Sequence, residues 1–296
     1  MDIYYWILVL PTALLALWAQ ARVSSAYRKY SRVANSREIT GNQAAQMILR
    51  GAGIYDVSVQ PVSGELTDHY DPKNKVLRLS DGVYGSISVA AVGIAAHEAG
   101  HAIQHHEGYA PLRLRNSIIP ITRIGSQLSW PLIIIGLLLG GASQTTEIGW
   151  LLIQIGLIAF AVCVVFQLLT LPVEFNASAR AMKQLENGIL TSDELPMARK
   201  VLSAAAMTYV AAALTAVLQL LRLLALCAAL ANVRVGEAAD EAASDYDDIF
   251  AFTLSDGQIV TFTFNQHNFA LNGQYYAVSS DEKLWTLAEE IAQSAD

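Results

Sequence analysis

Apolar residues fall into four long runs along this chain, separated by polar stretches of very different length. The first covers residues 3–21 and opens on Tyr4, Tyr5 and Trp6. The second covers about 118–140 and contains Pro120, Arg123 and Pro131. The third covers about 148–171, after the polar turn Ser143–Glu147, and the fourth runs from about 202 to 231, interrupted only by Arg222. Each run approaches or exceeds the about 20 apolar residues a helix needs to cross a bilayer core, and the aromatic start of the first suits an interface. Only Asp2 precedes that first run and its positive charges come after it, so it reads as a retained anchor and not a cleaved signal. Long basic side chains such as Arg222 commonly snorkel to the interface.

The periodicity changes after residue 231. Residues 237–248 form an acidic linker. Two alternating runs follow, Ile249–Leu254 and Ile259–Phe264, joined at Ser255-Asp256-Gly257, and Asn272-Gly273 repeats the turn between Phe269–Leu271 and Tyr275–Val278. Asp-Gly and Asn-Gly between alternating runs predict hairpins. A last helix is expected from about 281, with Glu282 placed for a capping box. The predicted fold is therefore mainly α. It is a polytopic membrane helical bundle of about four spans (1–231), then a linker (232–248), then a small α+β domain made of a β-meander and one helix (249–296).

Composition supports this reading. Charged residues make up 15% of the chain, against about 25% in soluble globular proteins, and mean hydropathy is +0.36. A net charge of −7 gives no ground for a nucleic-acid partner; the implied partners are the lipid bilayer and a substrate. Cys163 and Cys227 each sit inside an apolar run, without metal-site spacing, and read as small hydrophobes. Basic residues concentrate in 22–117 and 172–200 and are absent from 141–147. The positive-inside bias then puts those two segments in the cytoplasm, with both termini and the C-terminal domain outside.

The chemistry lies in His97-Glu98-Ala99-Gly100-His101. Histidines four positions apart share one helix face and can hold one Zn²⁺, while the glutamate after the first ligand takes the proton of an activated water. Two histidines and a glutamate in an otherwise apolar helix are costly to bury unless coordinated or paired. A catalytic zinc needs a third protein ligand and an open position. The candidates are His69, Asp71, His105, His106, Glu107 and Glu174. Glu174 is the best placed: it lies just past the third run, on the same predicted side of the membrane. Pro172 ahead of it suggests that a new helix starts there.

These residues resemble a known family. The run His69–Asp71 with Lys75–Ser80, then His97–Gln104, Pro172–Ala181 and Met207–Leu214, is similar to the neutral zinc metallopeptidases of bacterial membranes (the YugP type) over roughly residues 1–231, and distantly to the HtpX-type membrane proteases. The resemblance implies a gluzincin-like site of His97, His101 and Glu174 with Zn²⁺ as cofactor, Glu98 as catalytic base, and a multi-pass protein of the bacterial plasma membrane. Ser178 stands where the HtpX-type pattern has an aspartate, and Asn176 where the closest relatives would have one. With the sequence pattern, it also suggests Lys75–Ser80 as a strand whose edge could pair with an extended peptide, and Arg180 as a cation for the developing oxyanion. The expected function is a zinc metalloendopeptidase cleaving peptide or membrane-protein substrates at the cytoplasmic membrane face. Two alternatives stand beside it. One is a site-2-type intramembrane protease, against which the Leu-Ser-Asp-Gly strings count, since at 79–82 and 254–257 they lie outside the apolar runs; the other is a non-catalytic scaffold whose acidic tail binds a partner.

Overall fold

The computed structural model describes residues 10–141 and 147–231, with strands at 234–238, 248–253, 259–264, 268–271 and 274–279. The chain divides into two compact units. One comprises Thr12–Thr122 and Cys163–Ala216; the other contains Arg123–Val162 and the described chain from Val217 onward.

The first unit is built around one short, buried helix. Its elements begin with α1 (Leu10–Tyr30), α2 (Gly41–Gly51), β1 (Ser58–Val62), β2 (His69–Asp71), β3 (Val76–Ser80), α3 (Asp81–Tyr84) and α4 (Val89–His106). Three long helices follow, α5 (Ala110–Gly141), α6 (Glu147–Glu186) and α7 (Leu195–Ala231), and this unit takes the N-terminal part of α5, the C-terminal part of α6 and most of α7. Helix α4 starts where the Ser88 hydroxyl accepts a bond from Ala91 N at 3.2 Å. This satisfies one of the amides left without a partner in a helix's first turn. Thr40 and Gln43 close a capping box at the start of α2.

Ala90, Ala91, Ala95, Ala96, Ala99 and Ala102 are all buried on α4, and such small side chains let neighbours pack close on most of its circumference. Ala44, Ala45, Ile48 and Leu49 of α2, Leu77 and Leu79 of β3, Ala181 and Leu185 of α6, and Ala198 and Leu202 of α7 share its core. Burying the carboxylate of Glu194 ties a loop to this core: it accepts from Ser36 N and Ser36 Oγ at 2.6 Å each and from Thr191 N at 2.8 Å.

Strand β3 lies in the middle of its sheet, parallel to β1 and antiparallel to β2. The expectation of a free edge at Lys75–Ser80 is thus corrected. Both sides of β3 are already hydrogen-bonded, so an added peptide strand would find no donors or acceptors there.

The second expected boundary also moves. Pro172 does not open a new helix; α6 runs through it without a break for 40 residues. A proline inside a helix costs about 3 kcal/mol. Here Thr170, Val173 and Ala177 are buried on either side, and their packing holds the helical path. At 1.5 Å per residue α6 is about 60 Å long, about twice the hydrocarbon thickness of a bilayer. One helix therefore both fits a span and carries Glu174.

In the second unit α5 and α6 approach closely through glycine. A Cβ on Gly136 would lie 2.6 Å from Gly149 O, and one on Gly156 2.8 Å from Ser129 O; small residues at such crossings are the usual device of helix packing in lipid. Strands β4 (Arg234–Ala238), β5 (Asp248–Thr253), β6 (Ile259–Phe264), β7 (Asn268–Leu271) and β8 (Gln274–Ser279) form an antiparallel sheet in the order β4-β8-β7-β6-β5. The two expected hairpin pairings are present, β5 with β6 and β7 with β8. Strand β4 occupies part of the stretch read as linker. The helix expected from 281 lies outside the described residues.

Among the described residues three helices are long and apolar enough to cross a membrane, at Ala110–Leu137, Glu147–Glu186 and Leu195–Cys227. They overlap most of the second and fourth apolar runs and contain the third. Of the first run, residues 3–9 lie outside the described residues, and α1, which carries the remainder, does not by itself meet that measure.

The approach of α4 to α6 depends on Gly100, where a Cβ would stand 2.6 Å from the carbonyl oxygen of Ala177. Gly100→Ala is expected to destabilise the protein by about 1–3 kcal/mol through overpacking and to weaken zinc binding. Gly85→Ala, at a glycine whose added Cβ would meet nothing within 4 Å, serves as the control. Thermal unfolding and zinc titration of both variants in detergent check this.

Candidate metal centre

His97 and His101 stand one turn apart on α4, with ring centroids 4.8 Å apart and planes at 85°. Helix α6 brings Glu174 against both, its Oε2 lying 3.2 Å from His97 Nε2 and 3.5 Å from His101 Nε2. All three ligand atoms lie within 4.8 Å of one another. Ligands about 2.0–2.1 Å from a tetrahedral zinc stand about 3.4 Å apart. The two histidine–carboxylate separations are already those of tetrahedral edges. The set of two imidazole nitrogens and one carboxylate oxygen, with the carboxylate only 5% exposed, suits a catalytic zinc.

The tautomer of His101 follows from its neighbour. Gln104 Nε2 donates to Val173 O at 2.8 Å and to Asn176 Oδ1 at 2.9 Å, which commits its amide hydrogens. Its Oε1 therefore faces His101 Nδ1, at 3.0 Å, and can only accept. His101 carries its proton on Nδ1, leaving the Nε2 lone pair directed to the site. His97 Nδ1 is held by the Ser178 hydroxyl at 3.1 Å. Asn176 and Ser178, the two departures from the related patterns, are thus the groups that orient the histidine pair, Asn176 through Gln104.

Electrostatics agree with a cation site. Burial alone would lower the pKa of His101. The bond with Glu174 and the negative charges of Glu98 and Glu174 outweigh it, and the net shift is upward. The same negative charges that favour an imidazolium favour a divalent ion. Glu98, half-buried on α4, also lies within electrostatic reach of Tyr209 on α7, as does Arg115, and the Tyr209 hydroxyl hydrogen-bonds with Glu174.

The other candidate ligands are engaged elsewhere. His69 Nδ1 meets Thr67 O at 2.8 Å. Asp71 closes a turn, its carboxyl held down to about 2 by bonds from Asn74 first and then from Arg78 and Lys73. His105 Nδ1 lies 2.9 Å from the Tyr70 hydroxyl, His106 is exposed, and Glu107 pairs with Arg180 at 2.7 Å. Asp81, in the first Leu-Ser-Asp-Gly string, accepts from Gly64 N; Asp256 of the second lies outside the described residues.

Arg180 is brought to Glu107, to Asn176 Oδ1 (2.7 Å) and over the ring of Tyr109, not to Glu174. The guanidinium beside the carboxylate is that of Arg115, whose Nη1 lies 3.0 Å from Glu174 Oε1. Sequence reasoning counted Arg115 only as a topology charge. Nothing in the local sequence separates it from Arg113; it reaches Glu174 because the chain turns at Gly108 (φ +64°) before α5 begins.

The comparisons with known proteins agree. A family model described as "Putative neutral zinc metallopeptidase" matches residues 5–228. The chain is 47% identical over 209 residues to the "Putative membrane protease YugP" of Bacillus subtilis (strain 168), an alignment covering 70% of this chain and 89% of that protein. No solved structure matches. The chain belongs to the neutral zinc metallopeptidase family of that model, and zinc is the metal this family implies for the His97–His101–Glu174 cluster.

Gln104→Leu removes the acceptor that holds His101 in its tautomer, and zinc affinity should fall about 10–100-fold. Competition with a chromogenic chelator measures this; a variant as tight as the parent would show that Gln104 has no part in the site.

Proposed function

We propose that this member of the family is a membrane zinc endopeptidase whose site works at the cytoplasmic membrane face. The observation that carries the reading is the convergence of His97 Nε2, His101 Nε2 and Glu174 Oε2 from two helices that share one core. When held there, zinc supplies a Lewis acid that brings the pKa of a coordinated water to about 7.

The chain's own groups do the rest. His97 and His101 bind through Nε2, each oriented from its Nδ1 side by Ser178 or Gln104. Glu98 follows the first ligand on the same helix and is the base that takes the water's proton and passes it to the leaving amine. Arg180 acts as a positioning residue, through Asn176 and Gln104, on His101. The clustering of basic residues in 22–117 and 172–200 supports a cytoplasmic site, with the C-terminal sheet outside. A site beside apolar helices that fit a bilayer supports membrane proteins, or peptides at the membrane, as the substrate class. Neither a site-2-type mechanism nor a scaffold role has an observation in its favour.

Glu98→Gln should keep one zinc per chain and lower turnover of a fluorescent casein substrate by about 10²–10⁴-fold. Metal analysis and initial rates on the same detergent-purified sample check it. Unchanged turnover would remove Glu98 from the chemistry, and a parent protein that takes up no zinc would remove the reading itself.

A further inference from the structure

The two oxygens of Glu174 are treated differently. Oε2 faces the histidine pair at 3.2 and 3.5 Å, whereas Oε1 accepts from Arg115 Nη1 at 3.0 Å. Arginine–carboxylate pairs are frequently bidentate, with two parallel N–H groups reaching both oxygens of the carboxylate. Arg115 instead makes a one-point contact, and its Nε is buried with no hydrogen-bond partner among the described residues. Burying an unpaired donor is costly and rare. The arrangement is best explained by a demand on where Glu174 points.

That demand comes from coordination number. A catalytic zinc needs three protein ligands and one open position. A free carboxylate can turn both oxygens to a cation and fill the open position, whereas one held by a cation on Oε1 offers Oε2 alone. We infer that Arg115 is a positioning residue that restrains Glu174 to one metal-facing oxygen and so keeps a coordination position open for the reaction. The inference rests on the zinc reading above. It deepens that reading by giving a role to a residue outside the His-Glu-His set. It also separates the two arginines near the site: Arg115 acts on the carboxylate ligand, Arg180 on the histidine network. Being only 22% exposed, the Arg115 guanidinium is weakly screened, and its hold on Oε1 is correspondingly firm.

The test compares the parent with Arg115→Met and Arg115→Lys, full-length and in detergent. It measures zinc stoichiometry, zinc affinity by chelator competition, the visible absorption of the Co²⁺-substituted protein, and kcat and KM. Arg115→Met should retain one zinc per chain with affinity equal to or above the parent's. Its Co²⁺ bands should weaken, as they do when coordination number rises. Its kcat should fall about 10–100-fold with little change in KM, and Arg115→Lys should recover part of the loss because a point charge can still hold Oε1.

Unaltered Co²⁺ bands with unaltered kcat in Arg115→Met overturn the inference. So does loss of zinc from a variant whose melting temperature matches the parent's, since Arg115 would then anchor the ligand and not restrain it. Should Arg115→Met fail to fold, Arg115→Lys carries the test: bands and kcat both identical to the parent's, or both as disturbed as full loss of zinc would make them, overturn it. A parent that binds no zinc refutes the metal site instead and is read separately.

Discussion

The carboxylate of Glu174, buried against two imidazoles, one guanidinium and the Tyr209 phenol, is the constraint from which the rest of the first unit follows. An ionised carboxylate only 5% exposed cannot be left unpaired, because the desolvation of a lone charge costs several kcal/mol. Its partners come from three other helices, so α4, α5, α6 and α7 must all meet at one point. The α4–α6 approach is closer than any side chain larger than glycine allows, with Gly100 set against the backbone of Ala177. The alanine-rich surface of α4 follows from the same demand. Small residues bring the neighbouring backbones near, and the polar cluster is enclosed on a helix otherwise buried.

Enclosure in turn dictates the polar network. Buried donors and acceptors need partners, and here the partners are arranged in a chain from Glu107 through Arg180, Asn176 and Gln104 to His101. Each member is committed on one side by the next, so the direction of the His101 ring nitrogens is set by hydrogen-bond arithmetic at a distance. Asn176 and Ser178 meet Gln104 and His97 by an amide and a hydroxyl, at positions where the related patterns have a carboxylate. Asn176, Gln104 and Ser178 add no further negative charge beside the histidines, so the charges nearest the site are those of Glu98, Glu174 and Arg115.

The long helices combine two duties. Helix α6 is far longer than a bilayer requires, and because it continues through Pro172 the same helix contains both an apolar segment and the ligand-bearing segment.

How much of this was legible in the residues alone divides along the range of the interactions. The apolar runs, the hairpin pairings of β5 with β6 and β7 with β8, and the histidine pair with Glu98 are local patterns. Their periods of 3.6 and 2 and the i, i+4 spacing are properties of a single element, and the chain carries them whatever its neighbours do. Glu174 could be proposed as third ligand because topology limits which carboxylates share a side with His97 and His101. The central position of β3, the unbroken path of α6 through Pro172, and the arrival of Arg115 beside Glu174 were decided by tertiary structure. Each depends on which surfaces pack together, and packing energy outweighs a proline's local cost or the sequence proximity of an arginine. Arg113 and Arg115 look alike in sequence; only the turn at Gly108 and the docking of α5 carry one of them to the carboxylate.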